Sequence, residues 1–502
     1  MLASVTQSSA GALSAGTPPP SISFREVIAS ARLSVETLPT PLSRLAERIA
    51  QTPPAVVFEI LEHIEDARCC CLGCLRAEAL PGPGSQIAAL PENSITEAID
   101  WGGQAVSSGA FNVEGDMIIE YYFEPAVGNF QFFFERLAWT DYEENQVREA
   151  FDYYETLINV EFVETNNSAD AEFRLNKVDS NVPIVGGFLG FMNPPQEAGA
   201  GSAAFAGQPG AAGWTDEAGG GLEQGGFGWI TIVHEFGHGL GLAHPHDVGG
   251  GSSILPGVDG DPQTDTGDFD LNQGVYTMMS YVDGWALNPD GAPGRNDWVD
   301  YGYIAGPMAL DIALLQDKYG ANTETAAGDD LYILPDVNGA GTFFTSIWDA
   351  GGTDELRYEG FSDATLDLRA ATLLLEEGGG GWVSTASGIY GGYTIANDVV
   401  IENATGGWGS DLITENAADN MLTGWFGADT FVFVEEGGGI DTITDFVNGV
   451  DMVDLSDLGP IRRRDVTFSQ EENGVSLTVF DHTIVFEGVS FSDFTRDDFI
   501  LA

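Results

Sequence analysis

Apolar residues recur at helical spacing in three parts of this chain. Over residues 41–76 the recurrence runs through Leu42, Leu45, Ile49, Val56, Ile60 and Ile64, which predicts a helix. Over 141–158 it is plainer, because Val147, Ala150, Phe151, Tyr154 and Leu157 share one face while Glu143, Glu144, Arg148 and Glu149 lie largely opposite. Such a helix rests one side on a core. A third, over 309–319, carries Leu310, Ala313 and Leu314, with the polar Asp317 falling at the next step of the period. Short strand-like runs at 116–123 and 171–175 flank the second helix. Between 183 and 228 Gly and Ala dominate and neither period survives, so loops lining a site are expected there. After Gly320 short alternating runs separated by Gly and Asp predict an all-β region to the C-terminus.

The 502 residues are too many for one compact core. The pattern divides them into a leader or propeptide-like region at 1–95, an α+β domain at 96–320 and an all-β domain at 321–502. Charge narrows the possible partners: 77 acidic residues face 18 Lys plus Arg, a net charge of -59. Nucleic acid and anionic lipid are excluded, since both need a basic surface. Most carboxylates are expected to serve solubility in salty surroundings, leaving a share for divalent cations. No stretch approaches the roughly 20 apolar residues of a membrane span, and a monomer is expected. Residues 1–24 hold no Lys or Arg and are broken by Pro18, Pro19 and Pro20, unlike a secretory signal. An export address is therefore expected elsewhere. The four cysteines, Cys69, Cys70, Cys71 and Cys74, leave the later domains without disulfides. Neighbours in that cluster are too close to bridge, so only pairs such as Cys71 with Cys74 could close locally.

Chemistry concentrates in one segment, His234-Glu235-Phe236-Gly237-His238-Gly239-Leu240-Gly241-Leu242-Ala243-His244. Four residues apart on a helix, His234 and His238 stack on one face and can share a tetrahedral zinc. Glu235 falls beside the metal, where it can hold an attacking water. Gly241 can take a positive φ, letting the chain leave the helix and bring His244 round as third ligand. This HExxHxxGxxH spacing is the metzincin pattern.

Met279 stands 35 positions after His244, within Tyr276-Thr277-Met278-Met279-Ser280-Tyr281. Together with the histidine segment it resembles the serralysin-type metzincin zinc metalloproteases. Met279 matches the methionine turn beneath the metal, Tyr281 the tyrosine that approaches it, and Pro245 follows the third histidine as in that family. The resemblance covers about 96–502, including residues 311–322 at the end of the catalytic domain. It implies a metzincin-like α+β catalytic domain in a secreted zinc endopeptidase acting on extracellular proteins. Zinc would sit on His234, His238 and His244, with Glu235 as general base. Tyr281 would stabilise the oxyanion and is a candidate zinc contact. His246 is an extra histidine, either a surface residue or an alternative metal contact.

Residues 406–432 divide into three nonapeptides, GGWGSDLIT, ENAADNMLT and GWFGADTFV. They resemble the GGxGxDxUx repeat of RTX-type calcium-binding β-rolls. Gly407, Gly409 and Gly427 would make turns, Asp411 and Asp429 would bind Ca2+, and Leu412-Ile413 and Thr430-Phe431 would form short strands. The middle repeat departs, with Asn420 at the Asp position and Ala418 at a Gly position. Trp348-Asp349-Ala350-Gly351-Gly352-Thr353-Asp354, with Gly328, Asp330 and Glu402, is similar to the family's other calcium loops. An all-β β-roll/β-sandwich is therefore implied over 321–502. The final Asp498-Phe499-Ile500-Leu501-Ala502 is similar to the terminus of type I secretion substrates, which would supply the export address. Expected partners are protein or peptide substrates and the type I secretion machinery.

The cysteine cluster either silences a zymogen by placing a thiolate on zinc, or is idle, or is an independent metal site. The resemblance supplies no cysteine switch. The competing class is a calcium-dependent adhesin or surface-layer protein without turnover. An intact Glu235 argues against it, because a structural zinc site has no use for a general base.

Overall fold

The computed structural model describes residues 90–502 apart from 132–133, 182–187, 292–299 and 472. The helix expected at 41–76, the cysteine cluster and nearly all of the leader lie outside the described residues.

Helix α1, Asp141–Glu155, starts where the sequence caps it. Thr140 accepts from the Glu143 amide while Glu143 Oε2 accepts from the Thr140 amide at 2.8 Å, which satisfies two otherwise orphaned donors. Its expected apolar face, Val147, Ala150, Phe151 and Tyr154, is buried. Phe151 stacks between Phe162 and Phe236 with ring centroids 4.4 and 4.3 Å away. That stack joins α1 to the sheet on one side and to helix α2, Phe227–Gly239, on the other.

The sheet holds β1 (Met117–Phe123), β2 (Asn129–Phe130), β3 (Phe134–Arg136), β4 (Val160–Glu164), β5 (Phe173–Asp179), β6 (Gly190–Met192) and β7 (Ser202–Ala206). β1 runs parallel between β4 and β5. β5 carries β7 in parallel along its other edge, and β6 lies antiparallel on β7. Two expectations are corrected here. β5 runs four residues past its expected end at 175, because its buried polar residues find partners. Asn176 Nδ2 donates to Ala203 O at 2.8 Å, and Lys177 Nζ donates to Glu143 Oε2 at 2.7 Å. The Gly/Ala-rich segment, expected to be loops, contains β6 and β7, with Ala203, Ala204 and Phe205 fully buried. A strand covered on both faces shows no alternation, and small residues hide it further.

Helix α3, Ala309–Tyr319, has the expected bounds. Beyond it the chain is all β, in two eight-stranded sheets. Successive short strands alternate between them: Asn403–Thr405, Met421–Thr423 and Gly439–Ile443 stack in parallel in one sheet. Leu412–Thr414, Thr430–Val432 and Met452–Asp454 do so in the other. Each three-residue strand sends its middle side chain inward, so Ala404, Ile413, Leu422, Phe431 and Val453 fill the space between the sheets. Each larger apolar side chain so buried contributes about 1.5–3 kcal/mol. The core is continuous across residue 320, with Ile304 bridging to Phe344 and the Ile95 amide donating to Leu373 O at 2.9 Å. Among the described residues no helix is long and apolar enough to cross a membrane.

Candidate metal centre

Helix α2 presents His234 and His238 on one face. Its last turn ends at Gly241, whose φ is +94°, and a Cβ there would stand 2.2 Å from Gln104 O. Both the conformation and the close approach demand glycine. The chain then returns His244 to the helix. Nε2 of His244 lies 3.0 Å from Nε2 of His238 and 3.3 Å from Nε2 of His234.

Each Nδ1 faces an acceptor: Met278 O at 2.8 Å from His234, Leu242 O at 2.9 Å from His238, and Asp247 Oδ2 at 2.8 Å from His244. These acceptors hold the ring protons on Nδ1 and turn the Nε2 lone pairs toward one centre. Burial holds all three imidazoles below their ordinary range, His234 down to about 4. The rings are neutral ligands in waiting.

Glu235 is buried beside them, its carboxyl pushed well above the ordinary range by desolvation. Oε2 has no hydrogen-bond partner among the described residues. Gly190 of β6 packs against it, where an added Cβ would meet Glu235 Cγ at 2.8 Å and Oε1 at 2.9 Å. On the other side of α2, Gly237 lets the helix settle on the methionine turn, since a Cβ there would meet Met278 Cε at 2.5 Å and Met279 Sδ at 2.8 Å.

Asp311, from α3, holds that turn. It accepts from Thr277 Oγ1 at 2.7 Å, the Met278 amide at 2.7 Å and the Met308 amide at 2.9 Å. Desolvation nonetheless pushes its carboxyl up to about 7. Asp311→Asn should cost about 1–3 kcal/mol in denaturant unfolding, because buried donors lose their acceptor. The folded pKa exceeds the unfolded one, so the folded state binds the proton more tightly between about pH 4 and 7. The stability advantage of wild type over Asp311→Asn should therefore shrink as pH rises through that window. A difference that grows with pH would contradict the assignment.

Tyr281 packs its ring 5.8 Å from that of His234 and 4.7 Å from that of His244. His246, one of whose expected fates was a surface residue, is half-buried instead. It stacks on His244 at 4.8 Å and lies 4.4 Å from Tyr281. Sequence reasoning missed Asp247, Gly190 and Asp311. Only Asp247 left a usable signal: a metal-binding imidazole needs an acceptor for its other nitrogen, and Asp247 is a carboxylate three residues past His244.

Two groups of carboxylates in the all-β region fall in the segments where calcium is expected. Oxygens of Asp330, Asp349 and Asp354 lie within 4.8 Å of one another. The Asp354 amide donates to Glu402 Oε2 at 2.8 Å and the Asp330 amide to Asp354 Oδ1 at 2.7 Å. The Gly351 amide donates to Asp349 Oδ1 at 2.7 Å, and the Gly328 carbonyl presses on Gly352 so closely that no Cβ fits. The second group is a ladder through the nonapeptide turns. The Gly407 amide donates to Asp411 Oδ2 at 2.6 Å, the Asp411 amide to Asp429 Oδ1 at 2.9 Å and the Asp429 amide to Asp451 Oδ1 at 3.1 Å. Gly427, at φ +136°, admits the Gly409 carbonyl where a Cβ would clash. Burial first, then neighbouring carboxylates, pushes Asp354 up to about 6 and Asp429 up to about 7. Asp451 escaped the sequence reading because it lies beyond the third repeat. In the degenerate middle repeat Asn420 Nδ2 donates to Asn416 Oδ1 at 2.9 Å, a bond no aspartate could make.

Residues 316–484 match the family model described as Peptidase M10 serralysin C terminal. The chain is 35% identical over 210 residues to serralysin of Proteus mirabilis, covering 40% of this chain and 38% of that protein. It is 33% identical over 262 residues to metallopeptidase AprA of Pseudomonas marginalis, covering 46% and 50%, and 36% identical over 200 residues to serralysin C of Dickeya chrysanthemi, covering 37% and 36%. Over these segments the chain is similar to the serralysin-type M10 metalloproteases. The matched segments span half or less of these three relatives.

Proposed function

We propose that this protein is a secreted zinc-dependent endopeptidase, with a metzincin-like catalytic domain at 96–320 and a calcium-binding β-roll/β-sandwich at 321–502. The observation that carries this is the convergence of three neutral imidazoles beside buried Glu235. Three histidine nitrogens suit zinc in an open catalytic site. His234, His238 and His244 would hold the ion, and bound zinc would supply Lewis-acid polarisation of water and of the scissile carbonyl. Glu235 takes the proton from water and returns it to the leaving amine. Its burial favours the transfer, because a desolvated carboxylate is a stronger base than an exposed one. Tyr281 would donate its hydroxyl to the oxyanion.

Substrate presentation follows from β6. Among the described residues it pairs with β7 alone, so its other edge can add an extended peptide as a further strand. That favours cleavage within a chain. Asp349, Asp354, Glu402, Asp411 and Asp429 would take calcium with the glycine carbonyls beside them. A propeptide-like leader and type I export addressed by the C-terminal segment complete the proposal. Chelator-sensitive cleavage of casein, restored by zinc, tests it, and a zinc-loaded, processed protein that leaves casein intact would sink it. A narrower test is Gly190→Ala: its methyl group displaces the Glu235 carboxyl, so kcat should fall about 10- to 100-fold with zinc content unchanged. Unaltered turnover would detach β6 from the positioning of Glu235.

A further inference from the structure

A second cluster of metal-ligating side chains is buried in the all-β domain. Glu415 follows the strand Leu412–Thr414 of one sheet. Asp441 lies in Gly439–Ile443 and His482 opens His482–Glu487, both in the other sheet. Those two strands run in parallel, Gly439 beside His482 and Asp441 beside Ile484. Side chains two positions apart share a face, so Asp441 and His482 both project inward, and Gly437 makes room for Glu415, since a Cβ there would stand 2.1 Å from Glu415 Oε1. One ligand atom from each of Glu415, Asp441 and His482 falls within 4.8 Å of the others. Their exposures are 0%, 0% and 3%.

The polar atoms are only half answered. The Val434 amide donates to Glu415 Oε1 at 3.1 Å and the Asn420 amide to Asp441 Oδ1 at 3.0 Å. Glu415 Oε2 and Asp441 Oδ2 have no partner among the described residues. Nδ1 of His482 stands 3.0 Å from Glu415 Oε1 without an aligned hydrogen bond. Two buried carboxylates side by side cannot both ionise without a positive charge between them. Desolvation pushes each up to about 8 and holds His482 below the ordinary imidazole range. The imidazole is therefore a lone pair on offer, not the missing charge. Either a shared proton or a metal cation resolves the conflict.

We propose that Glu415, Asp441 and His482 form a second metal site, selective for zinc-class ions over calcium. Calcium takes six to eight oxygens, whereas one imidazole nitrogen and two carboxylates suit zinc. Glu415 takes the first, glycine position of the middle nonapeptide and His482 lies beyond the three repeats, which sets this site apart from the carboxylate ladder. Its ion ties the two sheets together, and binding only to the folded form stabilises the domain.

The test uses the full chain carrying His234→Ala and His238→Ala, which removes two of the three proposed catalytic ligands. Equilibrated with zinc in excess calcium and desalted, this protein should retain one equivalent of zinc by elemental analysis. Adding His482→Gln or Glu415→Gln should abolish retention. In the otherwise native chain, His482→Gln should leave casein cleavage unchanged while total zinc falls by one equivalent. Failure of the double-histidine variant to hold zinc overturns the site, leaving a carboxyl pair that shares a proton. Retention insensitive to both added substitutions overturns it equally. Zinc retention does not require the proposed peptidase activity, so the two proposals fail separately.

Discussion

Glu235→Gln should retain zinc and lose proteolysis by about 10²- to 10⁴-fold, the usual contribution of a general acid–base group. The substitution keeps the shape of the side chain, so the packing of Glu235 against Gly190 survives. It also spares Nε2 of the three histidines and the acceptors on their Nδ1 atoms. What it removes is the oxygen that accepts and returns a proton. His238→Ala, by contrast, should lose zinc and activity together, because the remaining pair cannot complete the donor set. Elemental analysis paired with casein cleavage separates the cases. A fully active Glu235→Gln protein would end the proposed proton transfer.

Removing calcium should have the other large effect, loosening the all-β domain and with it the catalytic half. Without ions Asp349, Asp354 and Asp330 crowd one pocket and Asp411, Asp429 and Asp451 follow one another along a ladder, on a chain of net charge -59. That repulsion opposes compaction. The glycine-rich turns add backbone entropy that few buried side chains offset. An ion at about 100 times its Kd adds about 2.7 kcal/mol by linkage, so several ions together are comparable with the whole stability of a typical domain, about 5–15 kcal/mol. The continuous core across residue 320 carries the loss to α3 and to the methionine turn it holds. Circular dichroism of the full chain should show Tm falling steeply with chelator and recovering with calcium, with casein cleavage following the same titration. A calcium-independent Tm would reduce the acidic residues to a solubility device.

Local chemistry carries its own signature, and those parts were legible in the sequence. Residues 141–158 and 309–319 announced α1 and α3 because a one-sided helix repeats its apolar residues every three to four positions. The spacing of His234, Glu235, His238 and His244 announced the convergence of three imidazoles because one helical turn and one glycine turn fix it. The nonapeptides announced short strands for the same reason. Tertiary structure decided what depends on residues far apart. Strands β6 and β7 exist because Phe205 and its small neighbours are covered on both faces, which erases alternation. β5 extends through Asn176 and Lys177 because Ala203 and Glu143 come to meet them. Gly190 against Glu235 and Asp311 beneath Met278 are contacts between separate elements, with no trace in either segment alone. The meeting of Glu415, Asp441 and His482 is the extreme case: three residues spread over 415–482 become ligand neighbours only when parallel pairing of two strands and the facing of two sheets bring them together.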